Sequence, residues 1–490
     1  MDVHVQIEGR GDRADRIYRQ LRDAIRDGRL RHGERLPATR DLAAQLSVSR
    51  TTVTVAYERL TAEGYLASRV GSGTFVVAPP ASGAGRAGRT SSVRDARTAA
   101  RPTARWRELH DPLWAEPVPI AYDFSVGSPD PGLFPLEQWR RLVAAELRGG
   151  IRRSGHYYQD PAGLEHLRRA LARHLGVARS VDAVADDILI TSGAQQAFDL
   201  IGRVLLEPGD VVAVEDPGYP PVRQLFESMG ARIVPVPVDE QGIRVDALPS
   251  RAALIYTTPS HQFPLGSVLS LERRAALLAW ASAHDAVIIE DDYDSEFRFA
   301  DRPLDPLQSL DREGRVVYVG TFSKTMLPTL RLGFLVSPPS LMPALRAAKR
   351  LTDWHNDGVT QSAMARFVDT GGFARHVRSA TKVYGGRQQQ IVEHVDALLG
   401  DRLRIVPSVA GLHLCLVPID PTEPFDADRV SADAAASGVA VQSLSRFIAG
   451  ARTQSGLLLG FGAIAPEDVP DGLRLLARAV ARSAHPQPAP

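Results

Sequence analysis

The chain has 490 residues, 44% hydrophobic and 23% charged, with 58 basic against 57 acidic side chains. That length exceeds one ordinary domain, and the apolar content excludes wholesale disorder. The near-zero net charge decides nothing about nucleic acid or membrane, while a single cysteine, Cys415, excludes an intramolecular disulfide framework and a cysteine-based zinc site.

Taken in chain order, the opening MDVHVQIEGRGDRADR lacks the apolar core of a signal peptide. No run approaches the roughly 18 apolar residues of a membrane helix, so a soluble, cytoplasmic protein is expected. Ala14–Asp27 sets Ile17, Leu21, Ala24 and Ile25 on one helical face, with Gly28 as a stop. Gly33–Arg40 reads as a turn into a short helix, Asp41–Leu46. Ser47-Val48-Ser49 is the next turn, and Ser49 is a natural N-cap for a helix over Arg50–Gly64. Leu66–Arg69 and Thr74–Val77 flank Gly71-Ser72-Gly73 as a hairpin. Between Ala81 and Arg105 the chain carries six arginines and one acid among Ala, Gly, Ser and Thr, so residues 79–118 read as a flexible basic linker.

Beyond Ile120, short apolar runs predict buried strands at Asp187–Thr191, Val211–Glu215, Leu254–Thr257, Ala286–Glu290, Val316–Val319 and Gly333–Val336. Gln195–Leu206, Pro221–Met229 and Leu271–His284 have helical length and composition between them. This alternation predicts an α/β architecture with a mostly parallel sheet covered on both faces. After Ser340 come helices, short strands at Leu412–Val417 and Leu457–Phe461, and a last helix. We therefore expect a large lobe over about 119–340 and a smaller α+β lobe over about 341–490, preceded by a mainly α domain with a β wing over 1–78.

A short helix, tight turn and second helix match helix-turn-helix spacing, and Ser49-Arg50-Thr51-Thr52 puts polar and basic residues at the end that enters a major groove. Small three-helix domains also present polar helix ends without such a role, so topology alone leaves DNA binding open. The run GERLPATRDLAAQLSVSRTTVTVAYERLTAEGYLASRVGSGTFV resembles the GntR-type winged helix-turn-helix. The resemblance implies that Arg40 and Arg50 contact phosphate and base, that Ser49, Thr51 and Thr54 support them, and that Ser72 and Gly73 lie on the wing tip. Arg50 is the candidate for bidentate reading of a guanine. With 13 basic and 10 acidic residues in positions 1–77, attraction to DNA would come from placement rather than bulk charge.

Only three of the basic residues are lysines, Lys324, Lys349 and Lys382. Arginine stays protonated, so chemistry that needs a free amine has only these to use. Lys324 lies in GTFSKTMLPTLRLG, directly after the strand Val316–Val319. A lysine buried at a strand end has its pKa lowered toward a reactive amine, the setting for a Schiff base with an aldehyde cofactor. The alternative is a surface lysine in a loop, but Thr321, Ser323 and Arg331 surround Lys324 with anion-binding side chains. Ser192-Gly193-Ala194-Gln195-Gln196 opens a helix after a strand, a ready phosphate site. Glu290-Asp291-Asp292-Tyr293-Asp294 crowds the carboxyl end of another strand, where doubly wound sheets bind ligands. One carboxylate there would keep a pyridinium nitrogen protonated. A metal site competes with that reading, but no histidine or second acidic cluster stands at suitable sequence spacing. Lys349 and Lys382 have no recognisable anion-binding neighbourhood.

These motifs, in this order, resemble fold-type I pyridoxal-phosphate enzymes of the aspartate-aminotransferase-like group across about residues 120–480. The resemblance implies that Lys324 carries pyridoxal 5′-phosphate (PLP) as an internal aldimine and that Asp291 pairs with the pyridine nitrogen. Tyr293 would bond the ring hydroxyl, Tyr219 would stack on the ring, and Gly193, Ala194, Gln195, Thr321, Ser323 and Arg331 would cradle the phosphate. A GntR-type reader joined by a linker to such a domain resembles the MocR family of transcription regulators. The partners so implied are double-stranded DNA, an amino-compound effector or PLP itself, and a second copy of the chain in a head-to-tail homodimer.

Two departures separate this chain from ordinary aminotransferases of the group. Where they carry Asn-Pro-x-Gly, this chain has Gln262-Phe263-Pro264-Leu265-Gly266, so the asparagine at the ring hydroxyl is missing. Where they carry a carboxylate-gripping arginine in a late strand, Leu457-Leu458-Leu459-Gly460-Phe461 places Leu458. Arg446 is the candidate replacement for binding an effector carboxylate, against the alternative of a surface arginine. The expected function is thus a PLP-dependent regulator rather than an enzyme. An active aminotransferase with a DNA reader attached is the alternative, and a DNA-binding structural factor that has lost its cofactor is a weaker third.

Overall fold

The computed structural model describes residues 12–69, 71–77, 100–108, 120–149, 158–299, 305–408, 410–450 and 454–484. They fall into two compact units divided between Arg101 and Pro102. The opening stretch and most of the expected linker lie outside the described residues. One part of that linker departs from expectation: Ala104–Glu108 is helical, and Arg105 donates to the Ser228 carbonyl at 3.0 Å. Residues 104–108 are therefore bonded to the second unit and are not a free tether.

In the first unit, helix α1 (Arg13–Arg26) starts at Asp12, whose carboxylate accepts from the N–H of Ala14. Helices α2 (Thr39–Gln45) and α3 (Arg50–Ala62) complete the trio. Ser49 caps α3 by accepting from the Thr52 N–H at 3.1 Å, satisfying one of the donors that a helix start leaves open. Ile17, Leu21, Leu42, Val53 and Leu60 are fully enclosed and form one core with Leu66 and Val76 of the hairpin. Strands β1 (Leu66–Arg69) and β2 (Gly73–Val76) pair antiparallel, with Arg69 opposite Gly73. The hairpin turns at Gly71, whose φ of +77° suits glycine.

The second unit is built on an eight-stranded sheet in the order β4 (Ile188–Thr191), β11 (Gly333–Val336), β10 (Val316–Thr321), β9 (Val287–Asp292), β8 (Leu254–Thr257), β5 (Val211–Asp216), β6 (Arg232–Asp239), β7 (Gly242–Ile243). β10, β9, β8, β5 and β6 run parallel, whereas β11 is antiparallel to both of its neighbours. Alternate residues feed opposite faces. Ile188 and Ile190 pack with Leu167 and Leu171 of one helix layer, while Leu189 packs with Phe198 and Ile201 of the other. β6 is a strand that the sequence conceals, because Pro235 and Pro237 interrupt it. β7 pairs only with Val238 and Asp239, so the outer edge of β6 at the prolines needs no donor.

The remaining sheet runs β12 (Leu403–Ile405), β13 (His413–Pro418), β16 (Leu457–Gly460), β15 (Gln442–Ser443). It packs on the long helix Gly372–Leu399 and the final helix Val469–Ala484. The expected lobe boundary near residue 340 is displaced. Helices Met342–Asp353 and Gly358–Asp369 pack against the large sheet's helices, and Ala363, Met364 and Phe367 belong to its core. Conversely, β3 (Tyr122–Asp123) pairs with β14 (Val439–Ala440), and Phe124 is buried in the small lobe's core. The small lobe thus takes residues 122–124 as well as the end of the unit. No helix among the described residues is long and apolar enough to cross a membrane.

Candidate functional site

In a parallel sheet all carboxyl ends share one edge, so β9 and β10 deliver Asp291 and Thr321 to the same rim. A cavity of about 340 Å³ opens there. Of the residues singled out from the sequence, Ala194, Gln195, Tyr219, Asp291, Tyr293, Thr321, Ser323, Lys324, Arg331 and Arg446 all line it. Gly193 stands just behind, where an added Cβ would lie 3.1 Å from the Arg331 guanidinium. Ten residues spread over more than 250 positions are thereby collected into one pocket.

Lys324 follows β10 and is partly buried. Its Nζ donates to the Gly127 carbonyl at 2.5 Å. Burial lowers its pKa, with Asp294 and Asp291 pulling the other way. Gly127, with φ +87°, has no room for a side chain, since a Cβ would meet Nζ at 3.0 Å. Across the cavity, Asp291 Oδ2 accepts from the Tyr256 hydroxyl at 2.6 Å, while Oδ1 is buried without a partner among the described residues. Burial raises this carboxyl to about 7, opposed by the Tyr256 bond and by Lys324.

Behind Asp291, Asp292 pairs with Arg179 at 2.8 Å, both side chains almost wholly buried. Burial pushes Asp292 up, but Arg179 and the hydroxyls of Ser295 and Tyr318 outweigh it and hold the carboxyl below its ordinary value. Two adjacent carboxyls thus shift in opposite directions, because burial prevails at Asp291 while Arg179 and the two hydroxyls prevail at Asp292.

The end expected to bind an anion is equally well defined. Helix Ala194–Leu205 begins at Gly193, whose φ of +82° aims the backbone into the site. Arg331, itself at φ +48°, donates to the Ser192 carbonyl at 2.5 Å, and the Thr321 hydroxyl donates to Ser323 Oγ at 3.0 Å. Lys349, which sequence alone left without an anion-binding neighbourhood, is buried against this end. It donates to Gln196 Oε1 at 2.9 Å and pairs with Asp353 at 2.7 Å, and the same Gln196 oxygen accepts from the Ser192 N–H.

Sequence reasoning missed one group of residues entirely. His261, Asp294 and His413 are each 2% exposed and bring three ligand-type atoms within 4.8 Å of one another. The expectation that no histidine accompanies the acidic strand end is therefore corrected: the fold supplies two, from positions 33 residues before and 119 after Asp294. Three of the four ring nitrogens are already bonded, His261 Nδ1 to Asp294 and Tyr293, His261 Nε2 to Ser408, and His413 Nε2 to the Pro264 carbonyl. Leu458 is wholly buried beside Cys415, Leu444 and Phe447, so that strand offers the cavity no cation. Gln442, opposite Leu458 in the sheet, lines the cavity instead, and its Oε1 is buried without a partner among the described residues.

In the first unit, Arg40, Ser49, Arg50, Thr51 and Ser72 are exposed. Arg40 donates to the neighbouring Asp41 at 3.1 Å, and Thr54 donates back to the Arg50 carbonyl at 3.0 Å. Gly73 starts β2 with φ +112°, where a Cβ would meet Arg35 Nε at 2.7 Å.

Residues 122–487 match the family model "Aminotransferase class I and II", and residues 13–76 match "Bacterial regulatory proteins, gntR family". The chain is 36% identical to the probable rhizopine catabolism regulatory protein MocR of Rhizobium meliloti, over 94% of this chain and 92% of that one. It is 32% identical to the HTH-type pyridoxine biosynthesis transcriptional regulator PdxR of Corynebacterium glutamicum, over 91% of each. Among solved structures, a kynurenine aminotransferase of Pyrococcus horikoshii superposes with a TM-score of 0.69 at 29% identity, covering 74% of this chain and 91% of that one.

Proposed function

As the chain belongs to the MocR family of transcription regulators, we propose that it binds DNA through its first unit and holds PLP on Lys324 in its second, where it senses the cofactor or an amino compound. The observation that carries this reading is Asp291 Oδ1, a buried acceptor on the cavity rim that has no donor among the described residues. A buried acceptor left unpaired costs free energy, and a protonated pyridine nitrogen is a donor of the right kind. The other end suits a phosphate: N–H groups at a helix start, two hydroxyls and the Arg331 guanidinium.

When bound, PLP supplies an aldehyde that exchanges amines and a ring that accepts electrons. The chain's residues do the rest. Burial keeps the Lys324 amine poised to lose its proton, and Asp291 holds a proton on the ring nitrogen. Tyr293 would bond the ring hydroxyl, Tyr219 would stack on the ring, and Arg446 would meet the carboxylate of an effector. An effector that displaces Lys324 acts on DNA binding only if it binds the two states of the protein unequally. A second copy, head-to-tail, would pair two readers on adjacent half-sites.

Enzymatic turnover is the second reading, supported by the intact Lys324–Asp291 pair. Against it stands Leu458, buried where a carboxylate-binding arginine would be needed. Incubation with a panel of amino acids and 2-oxo acids decides between them: at most a single half-reaction is expected, and repeated rapid turnover would contradict the regulator-only reading. For the reader, Arg50→Ala lowers affinity most for the preferred base at one position, by about 10- to 100-fold. Binding measured against single-base variants of a selected site checks this. A uniform loss over all sequences would assign Arg50 to phosphate.

A further inference from the structure

We propose that His261 and Asp294 form a buried positioning pair that aims the Tyr293 hydroxyl at the ring hydroxyl oxygen of the cofactor, in a pocket where Phe263 supplies no amide donor. The inference rests on the reading that the pocket takes PLP. His261 Nδ1 lies 3.0 and 3.2 Å from the two oxygens of Asp294 and 3.0 Å from the Tyr293 oxygen. In the tautomer that carries the proton on Nδ1, this N–H donates to Asp294. The Tyr293 oxygen next to that N–H is then an acceptor, and the phenol's own proton is released toward another partner. The open direction is the cavity that Tyr293 lines with Lys324 and Phe263.

The imidazole is pinned from both lobes. Nε2 meets Ser408 Oγ at 2.9 Å, and Ser408 in turn lies 2.9 Å from the Ala410 carbonyl. At Gly411, with φ +87°, a Cβ would fall 2.1 Å from His261 Cε1 and 2.5 Å from Asp294 Oδ2, so the backbone itself is shaped to this pair. The rings of His261 and Tyr293 stack at 5.8 Å between centroids. The charged and titratable groups that interact with the pair include Asp291, Glu296, Arg298 and Lys324, and His413 from the small lobe. Burial and His261 push His413 down to about 3, so it faces the pair as a neutral ring.

A donor to the ring hydroxyl oxygen stabilises its anionic form and lowers the pH at which the lysine-bound cofactor loses its proton. The test is a pH titration of the visible band of full-length, PLP-loaded protein. Tyr293→Phe should raise the midpoint by about one pH unit, the loss of one bond to a charged oxygen. His261→Gln and Asp294→Asn should each move it the same way, and His261→Gln should add nothing in a Tyr293→Phe background. Two independent variants keep the test usable if one fails to fold. An unmoved midpoint in both, or a His261 shift that adds in full to that of Tyr293→Phe, overturns the proposal alone. Absence of any visible band in the unaltered protein would remove the cofactor reading and this proposal together.

Discussion

Replacement of Lys324 by alanine abolishes the visible absorbance band that the full-length protein develops with PLP, and Lys324→Arg abolishes it equally. The second half of this prediction carries the physics. Arginine keeps the positive charge and much of the length, but its guanidinium does not give up a proton, so it cannot form the covalent link. Lys324 is fitted to that role by burial, which lowers its pKa, and by Gly127, which leaves room for Nζ and accepts its bond. The other two lysines serve as controls. Lys382 is exposed, and Lys382→Ala should leave the band intact. Lys349 is already held by Asp353 and Gln196, so Lys349→Met should weaken cofactor affinity through the phosphate end without removing the band. A band that persists in Lys324→Ala would place the attachment elsewhere.

Asp291→Asn should change stability and cofactor affinity in opposite directions. Burial raises the Asp291 carboxyl to about 7 in the folded protein, from an ordinary value near 4 when unfolded. Between those values the folded state binds the extra proton, so the carboxyl's contribution to stability falls as pH rises through that window. Above pH 7 the cofactor-free protein bears the full cost of a buried carboxylate, with an upper bound of about 4 kcal/mol. Asparagine cannot ionise and escapes it. Cofactor-free Asp291→Asn should therefore melt several degrees above the unaltered protein at about pH 8, and at nearly the same temperature at about pH 4. With PLP that advantage narrows, because an amide is a poor partner for a protonated ring nitrogen. An affinity loss of about 10- to 100-fold is expected from one charge-assisted bond. Calorimetric melting at the two pH values, with and without PLP, checks both signs. Equal melting temperatures at high pH would mean that Asp291 is not held as a costly buried carboxylate.

Local pattern made most of the scaffold legible. Ser49 was recognisable as a cap because the residues that follow are helical and polar, and the strands at Leu254–Thr257 and Gly333–Val336 fall where the apolar runs stand. β6 was hidden because its prolines read as breakers, and only the sparse pairing of β7 explains why they are tolerated. The lobe boundary was illegible for a different reason. Tyr122 and Val439 pair across more than 300 positions, and nothing in either segment announces the other.

The site divides along the same line. Lys324, Asp291, Arg331 and Gly193 sit in motifs a few residues long, so their types and order were readable. His261, Asp294 and His413 are brought together, and Gly127 is brought to Lys324, only by the folded chain. His413, two positions from Cys415 on an apolar strand, looked like ordinary core, and Asp294 was one of several acids in a row. Their one sequence signal was the pairing of His261 with a Phe263 that replaces the expected asparagine, and it reads as meaningful only after Tyr293 is seen bonded to His261.

The central claim is that occupancy of the Lys324 pocket governs DNA binding. Its most direct test is the affinity of the full-length protein for DNA fragments that it has itself selected from a random pool, measured with and without PLP at fixed salt. The account predicts that PLP changes this affinity for the unaltered protein and leaves it unchanged for Lys324→Ala. Identical binding curves for loaded and cofactor-free protein, with loading verified by absorbance, would contradict it.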